Sequence, residues 1–264
     1  MFFRCLHADF YKLRRSPVIA AHIVIPIMAS LAFLFYYGIS GRSFSETEKI
    51  IVFYQTIGAA FPILIGIFTA STMEQEQNAG AFQNLLTLKC KTAALFSKVV
   101  VLILLSFIAL LFTAVLFGYG FESVLGQGSM GIALYIEAAL VMWLSAIPLY
   151  LIFEILALLF GKGVSIGAGL FSGLISALFL TNLGMYVWKI VPLSWTARMP
   201  DTYLELRFGE LSTNIVVSKI RQPQSHMIYL NLKPVLNIYL LFTVVCLACY
   251  FVFAANYEGS KTAD

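Results

Sequence analysis

The chain has 264 residues, 60% of them hydrophobic and only 11% charged, with a formal net charge of +4. No soluble domain of this length carries so little charge, so lipid must solvate much of the chain, and a separate catalytic domain does not fit beside the membrane spans. The small positive balance is ordinary for a membrane protein and gives no ground for a nucleic-acid partner.

At about 100° per residue, Phe2, Phe3, Leu6, Phe10 and Leu13 fall on one stripe, with Arg4, Tyr11, Lys12 and Arg15 on other faces. The pattern predicts a helix in the membrane interface over residues 1–16, aromatics in the acyl boundary and cations toward anionic headgroups; a merely basic arm is the plainer alternative. The next apolar run is too long for a signal-peptide core and reads as a retained span. A spanning helix needs about 20 apolar residues. Six runs qualify: Pro17 to Ile39, Ile50 to Thr72, Val99 to Phe117, Ile132 to Phe160, Val164 to Leu183 and Val235 to Ala255. The expected fold is an all-α polytopic membrane protein: the interfacial helix, then six transmembrane helices within residues 17–264.

Lysine and arginine in the short loops cluster on one side, in the N-terminal arm, the Met73 to Lys98 loop, Lys162 and Lys261, against Arg42 and Lys49 opposite. The positive-inside rule then expects both termini in the cytoplasm and the segment Thr181 to Lys233 outside. That segment holds Lys189, Arg198, Arg207, Lys219, Arg221 and Lys233, but long loops translocate largely regardless of charge.

The loop after the second span is more polar than a turn needs. Ala79, Phe82, Leu85 and Leu86 recur at helical spacing beside Gln83 and Asn84, an apolar ridge that can press into a groove on a cytoplasmic partner or rest on the bilayer. In the fourth run, Glu137 and Glu154 would each cost about 2.5 to 3.5 kcal/mol at mid-bilayer. They are candidates for a translocation path, the alternative being local pairing at the interface. Gly163, Gly167, Gly169 and Gly173 form two small-xxx-small pairs pointing roughly 120° apart, so the fifth span is expected to touch two neighbours. Pro26, Pro62 and Pro148 fall inside spans, where kinks are expected. Before the last span, Tyr186, Trp188 and Trp195 suit a membrane-surface belt, and Asp201 to Arg221 mixes charges with Leu204, Leu206, Phe208, Leu211 and Val216, as a small external cap would.

No energy-coupling chemistry is expected in the chain. The Gly161-Lys162 pair lacks the earlier glycine of a phosphate-binding loop, and His7, His22 and His226 are too scattered for metal ligands. Cys5, Cys90, Cys246 and Cys249 suggest neither a disulfide nor a zinc site. Catalytic, cofactor and metal sites are therefore all expected to be absent.

The stretch Glu74-Gln75-Glu76-Gln77-Asn78-Ala79-Gly80-Ala81-Phe82-Gln83-Asn84-Leu85-Leu86 resembles the loop between the second and third spans of lantibiotic-immunity ABC transporter permeases, which are of the ABC-2 class. The basic arm, the six-span spacing and the long segment before the last span resemble that family too. The resemblance implies that Glu74, Glu76, Gly80, Phe82, Gln83, Asn84, Leu85 and Leu86 belong to a coupling helix docking on an ATPase, and that the Phe2 to Arg15 arm is the connecting helix. It further implies export of a cationic peptide antibiotic from a bacterial plasma membrane. ATP and Mg would be bound by two partner ATPase subunits, beside a second permease, identical or related. Two rivals stay open: the same architecture carrying bacitracin, another drug or a lipid, and a membrane sensor or scaffold that docks a non-ATPase partner.

Overall fold

A computed structural model describes residues 2–14, 16–40, 44–80, 82–88, 90–215 and 232–259, except for the side chains of Asn84, residues 210–215 and Leu232. Among these residues all regular structure is helical, in the order α1 (Phe2–Leu13), α2 (Pro17–Ser40), α3 (Glu46–Asn78), α4 (Gln83–Leu86), α5 (Lys91–Tyr119), α6 (Ile132–Phe160), α7 (Lys162–Phe179), α8 (Trp195–Ile215) and α9 (Leu232–Asn256). Six of them, α2, α3, α5, α6, α7 and α9, are long and apolar enough to cross a membrane. Helices are what an apolar chain must adopt there, because hydrocarbon offers no partner to a backbone N–H or C=O. The helices run unbroken through Pro26, Pro62 and Pro148.

The expected spans fall at the right places, but two are too short. α3 has 33 residues, about 50 Å at 1.5 Å per residue, well beyond a hydrocarbon core of roughly 30 Å. Met73-Glu74-Gln75-Glu76-Gln77 are all good helix formers and simply continue the helix. At the other end Ser45 and Glu48 close a capping box, the Ser45 side chain accepting from Glu48 N and Glu48 accepting from Ser45 N at 2.8 Å. α5 likewise begins at Lys91 rather than Val99. The expected loop of residues 73–98 contracts to the turn of residues 79–90 around α4.

α3 is the axis of the bundle. Its closest neighbour is α7, and glycine is required at the crossing: a Cβ on Gly66 would lie 2.6 Å from Ser165 O, and one on Gly169 2.9 Å from Pro62 O. Close approach of small residues is how helices associate where lipid removes the hydrophobic drive. The hydroxyl of Ser165 donates to Gly66 O at 3.1 Å and lies 2.9 Å from that of Thr69. Of the two predicted glycine faces, Gly169 and Gly173 pack on α3, while a Cβ at Gly163 or Gly167 would meet nothing within 4 Å. At the end of the bundle away from α1, aromatic rings fill the core, with Phe53 stacked on Phe117 at 3.7 Å and Tyr37, Phe121 and Tyr135 around them.

At that same end the chain returns into the bundle. After α7, three short turns lead into α8, which folds back between α3 and α6: a Cβ on Gly58 would lie 2.4 Å from Thr196 O. Gly58 is twelve residues into α3, about 18 Å from its tip. The expected surface residues Trp188 and Trp195 are consequently buried, 3% and 0% exposed, whereas Tyr186 is exposed. Of the residues expected in the cap, Val216, Lys219 and Arg221 lie outside the described set, as do Arg15, Arg42, His226 and Lys261.

The crossing makes a contrast that can be measured. Gly66→Ala drives a methyl into backbone atoms and should destabilise the subunit by about 1–3 kcal/mol, whereas Gly167→Ala, facing open space, should stay within about 0.5 kcal/mol. Thermal unfolding in detergent by tryptophan fluorescence separates them; equal midpoints would place the tight crossing elsewhere.

Candidate functional site

α1 lies across the start of α5, and a line of four alternating charges joins it to α3. Lys98 on α5 sits between two carboxylates, with its Nζ 2.8 Å from Asp9 Oδ1 and 2.7 Å from Glu76 Oε1. Lys12 approaches the same Glu76 oxygen at 2.7 Å, and Ser97 donates to Asp9 Oδ2. The Asp9, Lys98 and Glu76 side chains are all under 10% exposed, while Lys12 is 54% exposed. Two cations and two anions leave the seam neutral. Gln75 Nε2 donates to Ser16 Oγ at 2.7 Å, fixing α3 to the corner between α1 and α2.

This seam sets the rotation of the arm. Asp9 must face α5, and the neighbouring stripe turns with it: Leu13 is buried, and Phe2, Leu6 and Phe10 are half-buried against the bundle. Phe2 meets the ring of Phe96 at 6.0 Å. Phe3 is 80% exposed. The stripe expected to lie in lipid is thus spent largely on the protein itself.

The turn of residues 79–90 corrects a second expectation. Gly80 has φ 132° and Phe82 φ 65°, a left-handed conformation that costs a residue with a Cβ roughly 1–3 kcal/mol unless its surroundings hold it. They do so here. Phe82 is 6% exposed and meets the ring of Tyr257 edge-on at 6.2 Å, and Leu85 is 3% exposed. The ridge expected to enter a partner's pocket is packed inside the subunit, because Tyr257, just after α9, and the start of α5 already cover it. Lys91 Nζ donates to Tyr257 O at 2.9 Å and closes the turn from the other side. Glu74 pairs with Lys162 at the start of α7, and Glu76 belongs to the seam. Leu86 is half-buried. The residues that face outward are Gln77, Asn78, Ala79 (the one exposed member of the expected ridge), Gly80, Gln83, Thr87 and Leu88; the side chain of Asn84 lies outside the described set. Between α1 and this turn runs a groove of about 520 Å³ lined by Arg4, Asp9, Lys12, Glu76, Leu85, Leu88 and Lys98.

The two carboxylates of α6 have separate surroundings. Glu154 is 0% exposed and accepts from Tyr250 OH at 3.1 Å, and its Oε2 has no partner among the described residues. It is enclosed by this subunit's own helices and lines no open path in this conformation. Glu137, 40% exposed at the opposite end from α1, accepts from Tyr203 OH at 2.5 Å and pairs with Arg207 at 3.5 Å. Close by on α8, Asp201 accepts from Gln55 at 2.8 Å and pairs with Arg198 at 3.0 Å. Burial raises the Asp201 carboxyl above its usual range. Burial, then the charge of Asp201, pushes Glu205 from its ordinary 4.5 to about 7, with Arg198 offsetting part of this.

Asp9 and Lys98 were missed in the sequence, although one signal was there: Asp9 is the only acidic residue before Glu46, in an arm otherwise basic. A lone carboxylate in such an arm needs a cation within reach.

Two outcomes follow. Removing one member of a buried ionic network leaves its partners uncompensated, so Lys98→Met should cost about 3–5 kcal/mol, and Lys12→Met, half in solvent, about 1 kcal/mol or less; chemical unfolding in detergent reads both. For Glu205, the folded state holds the proton more tightly than the unfolded one, so its stabilising contribution is complete below pH 4.5 and is lost as pH rises through about 7. Glu205→Gln should therefore raise the thermal midpoint over wild type at pH about 8 and lose that advantage near pH 4.5. A pH-independent difference would remove the titration from the account.

In a comparison with known protein families, the model described as ABC-2 family transporter protein matches residues 5–184, about two thirds of the chain. That stretch takes in most of α1, the charged seam, the turn of residues 79–90 and the spans through α7. Neither the curated proteins nor the solved structures give a significant match.

Proposed function

Since the chain belongs to the ABC-2 family transporter proteins, and is thus a multi-pass membrane permease of an ABC transporter with an ABC ATPase as partner, we propose that it exports a lantibiotic or similar cationic antimicrobial peptide. Such a permease confers self-immunity or resistance by clearing the peptide from the bacterial plasma membrane. ATP and Mg belong to two ATPase subunits, and a second permease, identical or related, completes the transporter. Both termini and the turn of residues 79–90 lie in the cytoplasm, in keeping with Arg4, Lys12, Arg14, Lys91, Lys98 and Lys162 at one end of the bundle. Residues 181–233 belong to the outer end, with α8 turned back between α3 and α6. The cargo reading rests on the resemblance of Glu74 to Leu86 to the lantibiotic-immunity loop, and bacitracin or a lipid is the rival cargo.

One observation carries the coupling mechanism: the Lys12–Glu76–Lys98–Asp9 seam joins the arm, the end of α3 and the start of α5. A push on the turn between α3 and α5 therefore moves three elements together. α3 carries the motion lengthwise to the return segment, where Gln55 holds Asp201. Glu137, half-exposed beside Tyr203 and Arg207, is the carboxylate placed to meet a cationic cargo at the outer end. Within the turn, Phe82 and Leu85 stiffen the docking element from inside, and its outward residues, Gln83 foremost, meet the ATPase. The rival of another class, a sensor docking a non-ATPase protein, would use the same turn without coupling it to hydrolysis.

The test is co-purification with the candidate ATPase and peptide-stimulated hydrolysis. Gln83→Arg should leave subunit stability within about 0.5 kcal/mol and weaken the complex by about 2 kcal/mol, roughly thirty-fold. Phe82→Ala should instead lower subunit stability by about 3–5 kcal/mol. Unchanged stoichiometry, hydrolysis and survival in Gln83→Arg would dismiss the docking face, and hydrolysis stimulated by a lipid but not by nisin would replace the peptide cargo.

A further inference from the structure

The groove between α1 and the turn of residues 79–90 is lined by three cations and two carboxylates, in two different states. Asp9, Glu76 and Lys98 face one another in the seam, each side chain under 10% exposed. The two charges that a ligand can reach are both positive. Lys12 is 54% exposed and uses one of its three N–H donors on Glu76. Arg4 is exposed and, among the described residues, has neither an ion pair nor a hydrogen bond.

The helix itself spaces these two cations. Arg4, Ala8 and Lys12 recur every four residues and share one stripe of α1, beside Asp9. Arg4 and Lys12 stand about 12 Å apart along the axis, and the exposed Ala8 between them is too small to fill the interval. The far wall is apolar, made by Leu85 and Leu88 of the turn with Ala94. A volume of about 520 Å³ falls in the roughly 300–1,000 Å³ that takes a whole small molecule, well beyond the need of a bare inorganic anion.

Depth decides between a soluble anion and a lipid. Glu76 lies about 6 Å past the end of the apolar run at Thr72, and Lys98 immediately precedes the run that opens at Val99. The headgroup layer extends about 5–8 Å beyond the hydrocarbon on each side, so the floor of the groove is at that level. Tyr11, beside Lys12 and 67% exposed, is of a residue type enriched there.

We infer that the groove binds the headgroup of an anionic phospholipid from the leaflet at this end of the bundle, its phosphodiester held between Arg4 and Lys12 across Ala8. Basic pockets between helices at a membrane surface bind anionic headgroups by the same pairing. The bound lipid touches α1 and the turn at once and so braces the arm in its docked position. The inference rests on the six spans and not on the cargo.

The full-length permease with its ATPase, in an uncharged detergent, is titrated with dioleoyl phosphatidylglycerol or dioleoyl phosphatidylcholine, and bound lipid is read by native mass spectrometry. Phosphatidylglycerol should bind saturably, and about ten-fold more tightly than phosphatidylcholine, whose choline brings a cation into a cationic groove. Arg4→Gln should weaken phosphatidylglycerol about ten-fold. Ala8→Glu, a good helix former at an exposed position, sets a carboxylate between the two cations and should abolish saturable binding. Arg14→Gln removes the same charge from the same helix outside the groove and should leave the affinity nearly unchanged; thermal midpoints equal to wild type in all three variants keep loss of the site apart from loss of the fold. Equal losses in Arg4→Gln and Arg14→Gln would reduce the effect to diffuse surface attraction, and displacement of the lipid by inorganic phosphate at matching concentration would make the ligand a soluble anion. Phosphatidylglycerol that binds the permease alone but is excluded once the ATPase is present would give the groove to the ATPase. Each of these results overturns the lipid site.

Discussion

An ammonium taken out of water must find negative partners or shed its proton, and Lys98 finds two, on different helices. That requirement organises one whole end of the protein. Asp9 can reach Lys98 only if α1 lies flat across the start of α5. Glu76 can reach it only if α3 continues as helix past the hydrocarbon. The pairing is costly to assemble from solvated charges and costlier to leave half-made, so it acts less as glue than as a register mark. It admits one rotation of the arm and one length of α3.

The second constraint is the closeness of α3 and α7. Backbones that meet at Gly66 and Gly169 leave no space for side chains between them, and the two helices move as a unit. α7 hands that unit on to the return segment through Ser176, whose hydroxyl donates to Leu193 O at 2.6 Å, and through Arg198, which donates to Phe179 O at 2.5 Å. Charge at one end, glycine in the middle and capped turns at the other form a continuous frame around α3. α2 stands apart from this frame, with apolar residues such as Ile23, Met28 and Phe35 turned outward.

Much of the architecture was legible because membrane spans are written in composition. Six apolar runs became six helices, since hydrocarbon leaves the backbone no other choice. The polar ends were harder to read. Met73 to Gln77 are polar enough to read as a loop although each is a good helix former, and the partners of Glu76 at Lys12 and Lys98 hold them as helix. Phe82 and Leu85 recur at a spacing that marks an apolar ridge, but periodicity cannot say which body the ridge faces; Tyr257, far away in sequence, decides that. Trp188 and Trp195 fit an interfacial belt by residue type, and it is their cluster with Val235 and Tyr239 of α9 that hides them. In each case the missing information was a contact between residues distant in sequence.

The seam also fixes an order of events in time. Its members leave the ribosome as Asp9, Lys12, Glu76 and finally Lys98, so the arm is made 89 residues before the cation that holds it. At 5–20 residues per second the wait is on the order of 5–20 s. Through that interval Asp9 lacks the cation that holds it, and Lys12 gains its carboxylate only when Glu76 has been made. Docking of α1 is therefore a late step of biosynthesis, completed only once the start of α5 has been made.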